Sequence, residues 1–97
     1  MVLLALLVGC AAPAPATHTV RGVLVDVQSR SLQQLDSFTV RTDDGQELTF
    51  SPAPNFNANE SHAMNPGHMR QHMALADPVT VTYREEDQRL VALSATD

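Results

Sequence analysis

The chain of 97 residues has one cysteine, no tryptophan and no lysine, so all six of its basic residues are arginine. A single cysteine excludes an internal disulfide. The net charge is −5 and the arginines are scattered singly. This pattern argues against nucleic acid as a partner, because phosphate backbones are bound by clustered positive charge. Three phenylalanines and one tyrosine predict a modest core.

Sequence motifs of common enzyme classes are also missing. The serines have no Gly-x-Ser-x-Gly setting, and the four glycines are isolated rather than gathered in a phosphate-binding loop. The acidic turn 85–87 lacks the spacing of a calcium-binding loop. About 80 residues remain for folding, which is one small domain with little room for a deep active site. We therefore expect a protein that is not an enzyme.

The cysteine lies in an informative place. Residues 1–9 carry no charge, and Leu7-Val8-Gly9-Cys10 ends this apolar run. The run is far shorter than the roughly 20 residues that span a bilayer. It has the length of the apolar region of a secretory signal peptide. Small residues before a cysteine are typical of a lipobox, in which the thiol becomes acylated.

In this motif the chain resembles bacterial lipoproteins. The resemblance implies a signal peptide over residues 1–9 and a diacylated, then N-acylated, Cys10. Residues 10–17 would then be an Ala/Pro tether, and residues 18–97 the folded domain. Ala11 after the cysteine implies the outer membrane if the cell is Gram-negative. The expected location is the cell envelope, with a membrane contact through the lipid anchor and the domain facing the periplasm or the exterior.

Alternation of apolar and polar residues predicts strands, each with one buried face. Asp43-Asp44-Gly45 predicts a tight turn between the second and third strands. Asn65-Pro66 predicts the start of a helix that ends near Ala76, because Asn caps free N–H groups and Pro suits the first helical position. Gly22 predicts a bend or a bulge in the first strand. The predicted strands are Thr19–Gln28, Ser37–Thr42, Gln46–Ser51, Pro78–Arg84 and Arg89–Ala95.

The order β-β-β-α-β-β over residues 19–95 resembles the OB-fold, a five-stranded barrel. An SH3-like barrel or an open five-stranded sheet would use similar strands. The segments 37–45 and 77–84 are also similar to small secreted bacterial domains. Resemblance to OB barrels implies a ligand face on strands two and three and the adjoining loop, for an envelope protein or glycan. The residues of that face are Thr39, Arg41, Thr49 and Phe56, the last being either an exposed anchor or a lid on the barrel.

Three of the four histidines and all the methionines after Met1 fall between residues 62 and 73. On a helix, His68 and His72 stand one turn apart on one face, a spacing that can chelate a transition metal. Thioether sulfur suits Cu(I), and imidazole suits Cu(II), Zn(II) or Ni(II). The pattern predicts a metal site with copper as the candidate ion and His62, Met64, His68 and His72 as ligands.

A second interpretation of the same segment is packing. Met69, Met73 and Ala76 project together, as expected of a helix that closes one end of a barrel, and methionine fills irregular core gaps well. His68 and His72 would then line the rim. From the sequence, the chain is predicted to be a membrane-anchored, non-catalytic binding or structural module, or a metal-binding protein of the envelope.

Overall fold

A computed structural model of the chain describes residues 16–57 and 64–97. The predicted signal peptide, Cys10, most of the tether and His62 lie outside the described residues. Within them the elements are β1 (Thr17–Ser29), β2 (Leu35–Thr42), β3 (Glu47–Pro52), α1 (Pro66–Leu75), β4 (Val79–Glu86) and β5 (Arg89–Thr96). β1 thus begins one residue before the predicted domain boundary at residue 18.

The five strands form a closed barrel in the spatial order β1-β2-β3-β5-β4. The predicted mainly β architecture with one short helix is confirmed, and its β-β-β-α-β-β order fits an OB-fold-like barrel. Closure excludes the alternative of an open sheet. Neighbouring strands are antiparallel except β3 and β5, which pair in parallel over three residues. This short parallel pairing closes the barrel.

β1 changes its partner strand at Gly22, whereas its shifts in pairing register lie further along, between Leu24 and Asp26 and between Gln28 and Ser29. The first half of β1 pairs with β4 and the second half pairs with β2. Gly22 pairs with both strands, with Val79 of β4 on one side and Thr42 of β2 on the other. A Cβ atom built on Gly22 would lie 2.3 Å from the carbonyl oxygen of Arg41 and 2.7 Å from a methyl group of Val40. The two strands therefore approach too closely at this corner for any residue with a side chain.

The turn between β2 and β3 is also as predicted. Gly45 has φ of 87°, in the left-handed region, and its N–H donates to the carbonyl of Thr42 at 2.9 Å. The Thr42 hydroxyl donates to the carboxylate of Asp44. This hydrogen bond is the main reason that the pKa of Asp44 lies below its ordinary value. The turn is thus held by a hydrogen bond to the Asp44 carboxylate, and it ends at Gly45, whose lack of a side chain permits positive φ.

Alternate residues of the strands fill the barrel interior. The stacked rings of Phe38 and Phe50 lie 5.3 Å apart, and Tyr83 meets Phe50 edge-on at 5.0 Å. Two methionines join this core, Met64 at 3% exposure and Met69 at 0%. The remaining members of the core cluster are Leu24, Val27, Val40, Val79, Val81, Ala92 and Ala95.

The first prediction concerns the corner at Gly22. We expect Gly22→Ala to destabilise the protein by about 1–3 kcal/mol, because the methyl group would push β1 from β2. For a domain of this size the melting temperature should fall by roughly 4–8 °C per kcal/mol, measured by circular dichroism.

Gly67→Ala is the matched control. Gly67 lies in α1, and its new Cβ would come no closer than 3.4 Å to the Asn65 side chain. We expect this variant to be neutral or stabilised by about 0.4–1 kcal/mol. Equal melting temperatures for the two variants would contradict the close approach at Gly22.

Candidate metal centre

The site begins with the local structure that starts α1. Asn65 has extended backbone angles, and its Oδ1 accepts the backbone N–H of His68 at 2.8 Å. Pro66 follows at the first helical position, where a missing N–H has no consequence. Because this cap fixes the first turn, it also fixes the direction in which His68 leaves the helix.

Two contacts dock α1 on the barrel. The fully buried Met69 enters the core, and the next residue, Arg70, reaches over the end of β1. One Arg70 guanidinium nitrogen donates to the carbonyl of Val27 at 3.2 Å and to the Ser29 hydroxyl at 2.8 Å. The helix has ten residues, and among the described residues no helix has the length and apolar character needed to cross a membrane.

The predicted packing stripe is therefore only partly present. Met69 is buried and Met73 packs against the core, but Ala76 is exposed. Ala76 adopts left-handed angles (φ 55°, ψ 34°) and ends the helix, with its N–H donating to the Met73 carbonyl at 3.2 Å. A residue that turns the chain out of the helix cannot continue its buried face, so the stripe stops at Met73.

Beside that buried face, three ligand-type side chains converge. His68 and His72 stack at 5.0 Å between ring centroids, and Nε2 of His72 lies 3.2 Å from a carboxylate oxygen of Asp97. One ligand atom from each residue lies within 4.8 Å of the other two. The His72 side chain is only 12% exposed, whereas that of Asp97 is 72% exposed. We call these three residues the His–Asp cluster.

The strand register explains why Asp97 reaches the helix. After α1 the chain enters β4, and β5 runs antiparallel to it with Thr80 opposite Thr96. The residue after Thr96 therefore lies beside the start of β4, next to the end of the helix. The cluster thus joins one turn of α1 to the end of the last strand.

His72 is oriented from both sides. Its Nδ1 lies 3.4 Å from the backbone carbonyl of Asp77, and its Nε2 faces Asp97. In the tautomer that carries Nδ1–H, the N–H points at this carbonyl and the Nε2 lone pair is free to bind a cation beside the carboxylate. A backbone carbonyl behind the ring is the usual support of a metal-binding histidine.

The donor set fits a transition metal with a small adjustment. Bonds of about 2.0–2.2 Å to nitrogen and oxygen place tetrahedral ligand atoms roughly 3.4 Å apart. The His72–Asp97 pair already meets this spacing, while the full set spreads to 4.8 Å. Since Asp97 is exposed and His68 half-buried, side-chain rotation can close the gap without moving the backbone. Three protein ligands would leave a coordination position for water.

Of the four predicted ligands, two lie in the His–Asp cluster, one lies in the core and one is outside the described residues. His68 and His72 come together as predicted, and Asp97 joins them. Met64 lies in the apolar core, and His62 lies outside the described residues. Sequence reasoning missed Asp97 because nothing in its neighbourhood resembles a ligand motif. Its role follows only from the pairing of β4 with β5.

The predicted ligand face on β2 and β3 lies on the outside of the barrel. The hydroxyls of Thr39 and Thr49 bond to each other at 2.9 Å, and Arg41 pairs with Glu47 at 3.0 Å. Phe56 is half-buried at the end of the barrel, with its ring 6.0 Å from that of Phe38. Phe56 is therefore placed as a lid, apart from the three outward-facing residues.

Comparison with protein-family models, with curated proteins and with solved structures found no match to this chain.

The second prediction concerns the cap that aims His68. We expect Asn65→Ala to destabilise the protein by about 1 kcal/mol, because the first turn of α1 loses its side-chain acceptor. Asn65→Asp should retain stability, since a carboxylate accepts the same N–H and suits a helix N-terminus. Urea unfolding monitored by circular dichroism measures both.

Asn55→Ala provides the control, because Asn55 is exposed in the preceding turn. It should change stability by less than about 0.5 kcal/mol. A stability loss at Asn55 equal to that at Asn65 would contradict the capping role.

Proposed function

We propose that this protein is a small, non-catalytic envelope barrel that binds a divalent transition-metal ion through the His–Asp cluster. The observation that carries the proposal is the convergence of two imidazoles and a carboxylate, within 4.8 Å, from two separate elements. A helix alone provides the i, i+4 pair, but the third ligand arrives from the end of β5. The fold places the three backbone positions close together, so binding requires only rotation of the Asp97 and His68 side chains.

The donor types indicate which ion the site would take. Two nitrogens and one carboxylate oxygen suit Zn(II), Cu(II) and Ni(II), whereas Cu(I) prefers soft sulfur ligands. The thioethers of Met64 and Met69 are buried in the core. Copper therefore remains a candidate in its Cu(II) form, with Zn(II) and Ni(II) beside it.

The exposure of the cluster supports reversible binding. A structural zinc site is usually closed by four protein ligands. Here Asp97 is 72% exposed and water would complete the coordination. An ion held in this way can exchange with the surroundings, as expected of a protein that binds or buffers metal.

The envelope location in this proposal depends on the N-terminal motif. An acylated Cys10 followed by an Ala/Pro tether would hold the barrel at a membrane surface, on the outer membrane if the cell is Gram-negative. Each acyl chain contributes roughly 0.8 kcal/mol per buried CH₂ group, so two or three chains give firm attachment. The bound ion would then be held at the periplasmic or exterior face.

The third prediction tests the metal site by isothermal titration of the full chain carrying Cys10→Ser, which removes the competing thiol. We expect one Zn(II) or Cu(II) per chain with micromolar or tighter affinity. At a free metal concentration of 100 times Kd the protein should gain about 2.7 kcal/mol of stability. His68→Ala and Asp97→Asn should each weaken binding about tenfold or more.

His18→Ala is the matched control, since His18 lies on β1 with its ring 5.5 Å from that of Tyr83, away from the cluster. Its affinity for the metal should equal that of the parent. Titration without heat or any shift in melting temperature would reject the metal-binding function. Retained affinity in both cluster variants would reject the proposed ligands.

The fourth prediction tests the anchor. Expression in a bacterium with lipoprotein processing should give a chain that begins at Cys10 and carries acyl groups, detected by mass spectrometry. Cys10→Ser should release the protein from the membrane fraction, because the acceptor thiol is gone. An unprocessed N-terminus, or equal membrane association of parent and variant, would contradict the anchor.

A further inference from the structure

A cavity of about 280 Å³ opens at the N-terminal end of α1. It lies where the β1–β2 connection, the segment after β3 and the start of the helix meet. None of the His–Asp cluster residues lines it. Its lining residues are Gln33, Gln34, Leu35, Pro52, Ala53, Phe56, Asn57, Met64, Asn65 and Pro66. We call this feature the amide cavity.

The lining has an unusual chemical character, because four of its ten side chains are carboxamides and none is charged. Leu35, Phe56 and Met64 provide apolar surface, and Phe56 is half-buried against the core. Each carboxamide both donates and accepts hydrogen bonds. A charged ligand would find no opposite charge here, whereas a neutral ligand with many hydroxyl groups would find partners of both kinds.

Asn57 marks the polar part of the cavity. The residue is 6% exposed. Its side-chain Oδ1 accepts the backbone N–H of Ala95 at 2.8 Å, and its backbone N–H donates to the carbonyl of Leu93 at 2.9 Å. Its Nδ2 has no hydrogen-bond partner in the part of the chain that the structure describes. Buried amide donors are nearly always satisfied. The acceptor for this one must come from outside the described residues, and a ligand in the cavity can supply it.

We propose that the amide cavity binds one ring of a neutral saccharide, with its apolar C–H face toward Phe56 and its oxygens toward the carboxamides. Pockets for drug-sized ligands measure about 300–1,000 Å³, so 280 Å³ suits a single ring. Binding of an extended peptide by strand addition is disfavoured, because the described strands form a closed barrel in which each strand already pairs with two neighbours. The net charge of −5 disfavours polyanions.

The test is a titration of the ¹⁵N-labelled full chain, carrying Cys10→Ser, observed by NMR without added metal. The probes are three neutral trisaccharides: the trimers of N-acetylglucosamine, of β-1,4-linked glucose and of α-1,4-linked glucose. We expect at least one probe to shift the side-chain amide resonances of Asn57 in a saturable manner. The double variant Gln33→Ala/Gln34→Ala should weaken that binding about fivefold or more, as expected from the loss of at least one neutral hydrogen bond.

Gln46→Ala is the matched control, since Gln46 is an exposed carboxamide in the β2–β3 turn. Leu35 and Pro52, which line the cavity, lie at the other ends of β2 and β3. It should bind the sugar as the parent does. Phe56→Leu should weaken binding while the backbone spectrum stays dispersed, which separates loss of the ring from loss of the fold. An Asn57 side chain unmoved by all three probes overturns the proposal. Unchanged affinity in the double glutamine variant overturns it as well.

Discussion

The insertion of Met69 into the barrel core is the contact on which the candidate metal centre depends. A ten-residue helix has little stability of its own in water, so its position must come from tertiary packing. Met69 provides that packing, and Arg70 ties the adjacent turn to β1. Because the buried side chain fixes the rotation of α1, His72, which borders the buried face, lies beside Asp97 at the end of β5.

β5 is the second constraint, since it holds both proposed sites. Its end brings Asp97 to His72, and its middle residues bond to Asn57 through Leu93 and Ala95. The same strand closes the barrel by pairing in parallel with β3. The His–Asp cluster and the amide cavity therefore share this strand, although His72 and Asp97 lie near the C-terminal end of α1 and the cavity lies near its N-terminal end. Ligands held on such elements lose little freedom when they bind.

The crowding of histidine and methionine has two explanations that hold together. The methionines fill the barrel interior, where a flexible apolar chain suits an irregular gap. The histidines occupy the rim, where His72 is nearly buried yet close to a carboxylate and a carbonyl. Packing and ligand roles are thus divided by residue type along one helix. This division explains why a mixed His/Met ligand set was expected from the sequence while the structure brings a His/Asp set together.

The sequence by itself determined the strands, the helix with its Asn65 cap and the turn at Gly45, because each depends on local backbone preference or on side-chain periodicity. It also placed His68 and His72 on one face. Only the tertiary structure decided that Asp97 joins them, that Met64 turns inward and that Phe56 covers the barrel end. These outcomes depend on strand register and on which helix face is buried. Contacts between residues far apart in the chain leave no trace in a local pattern.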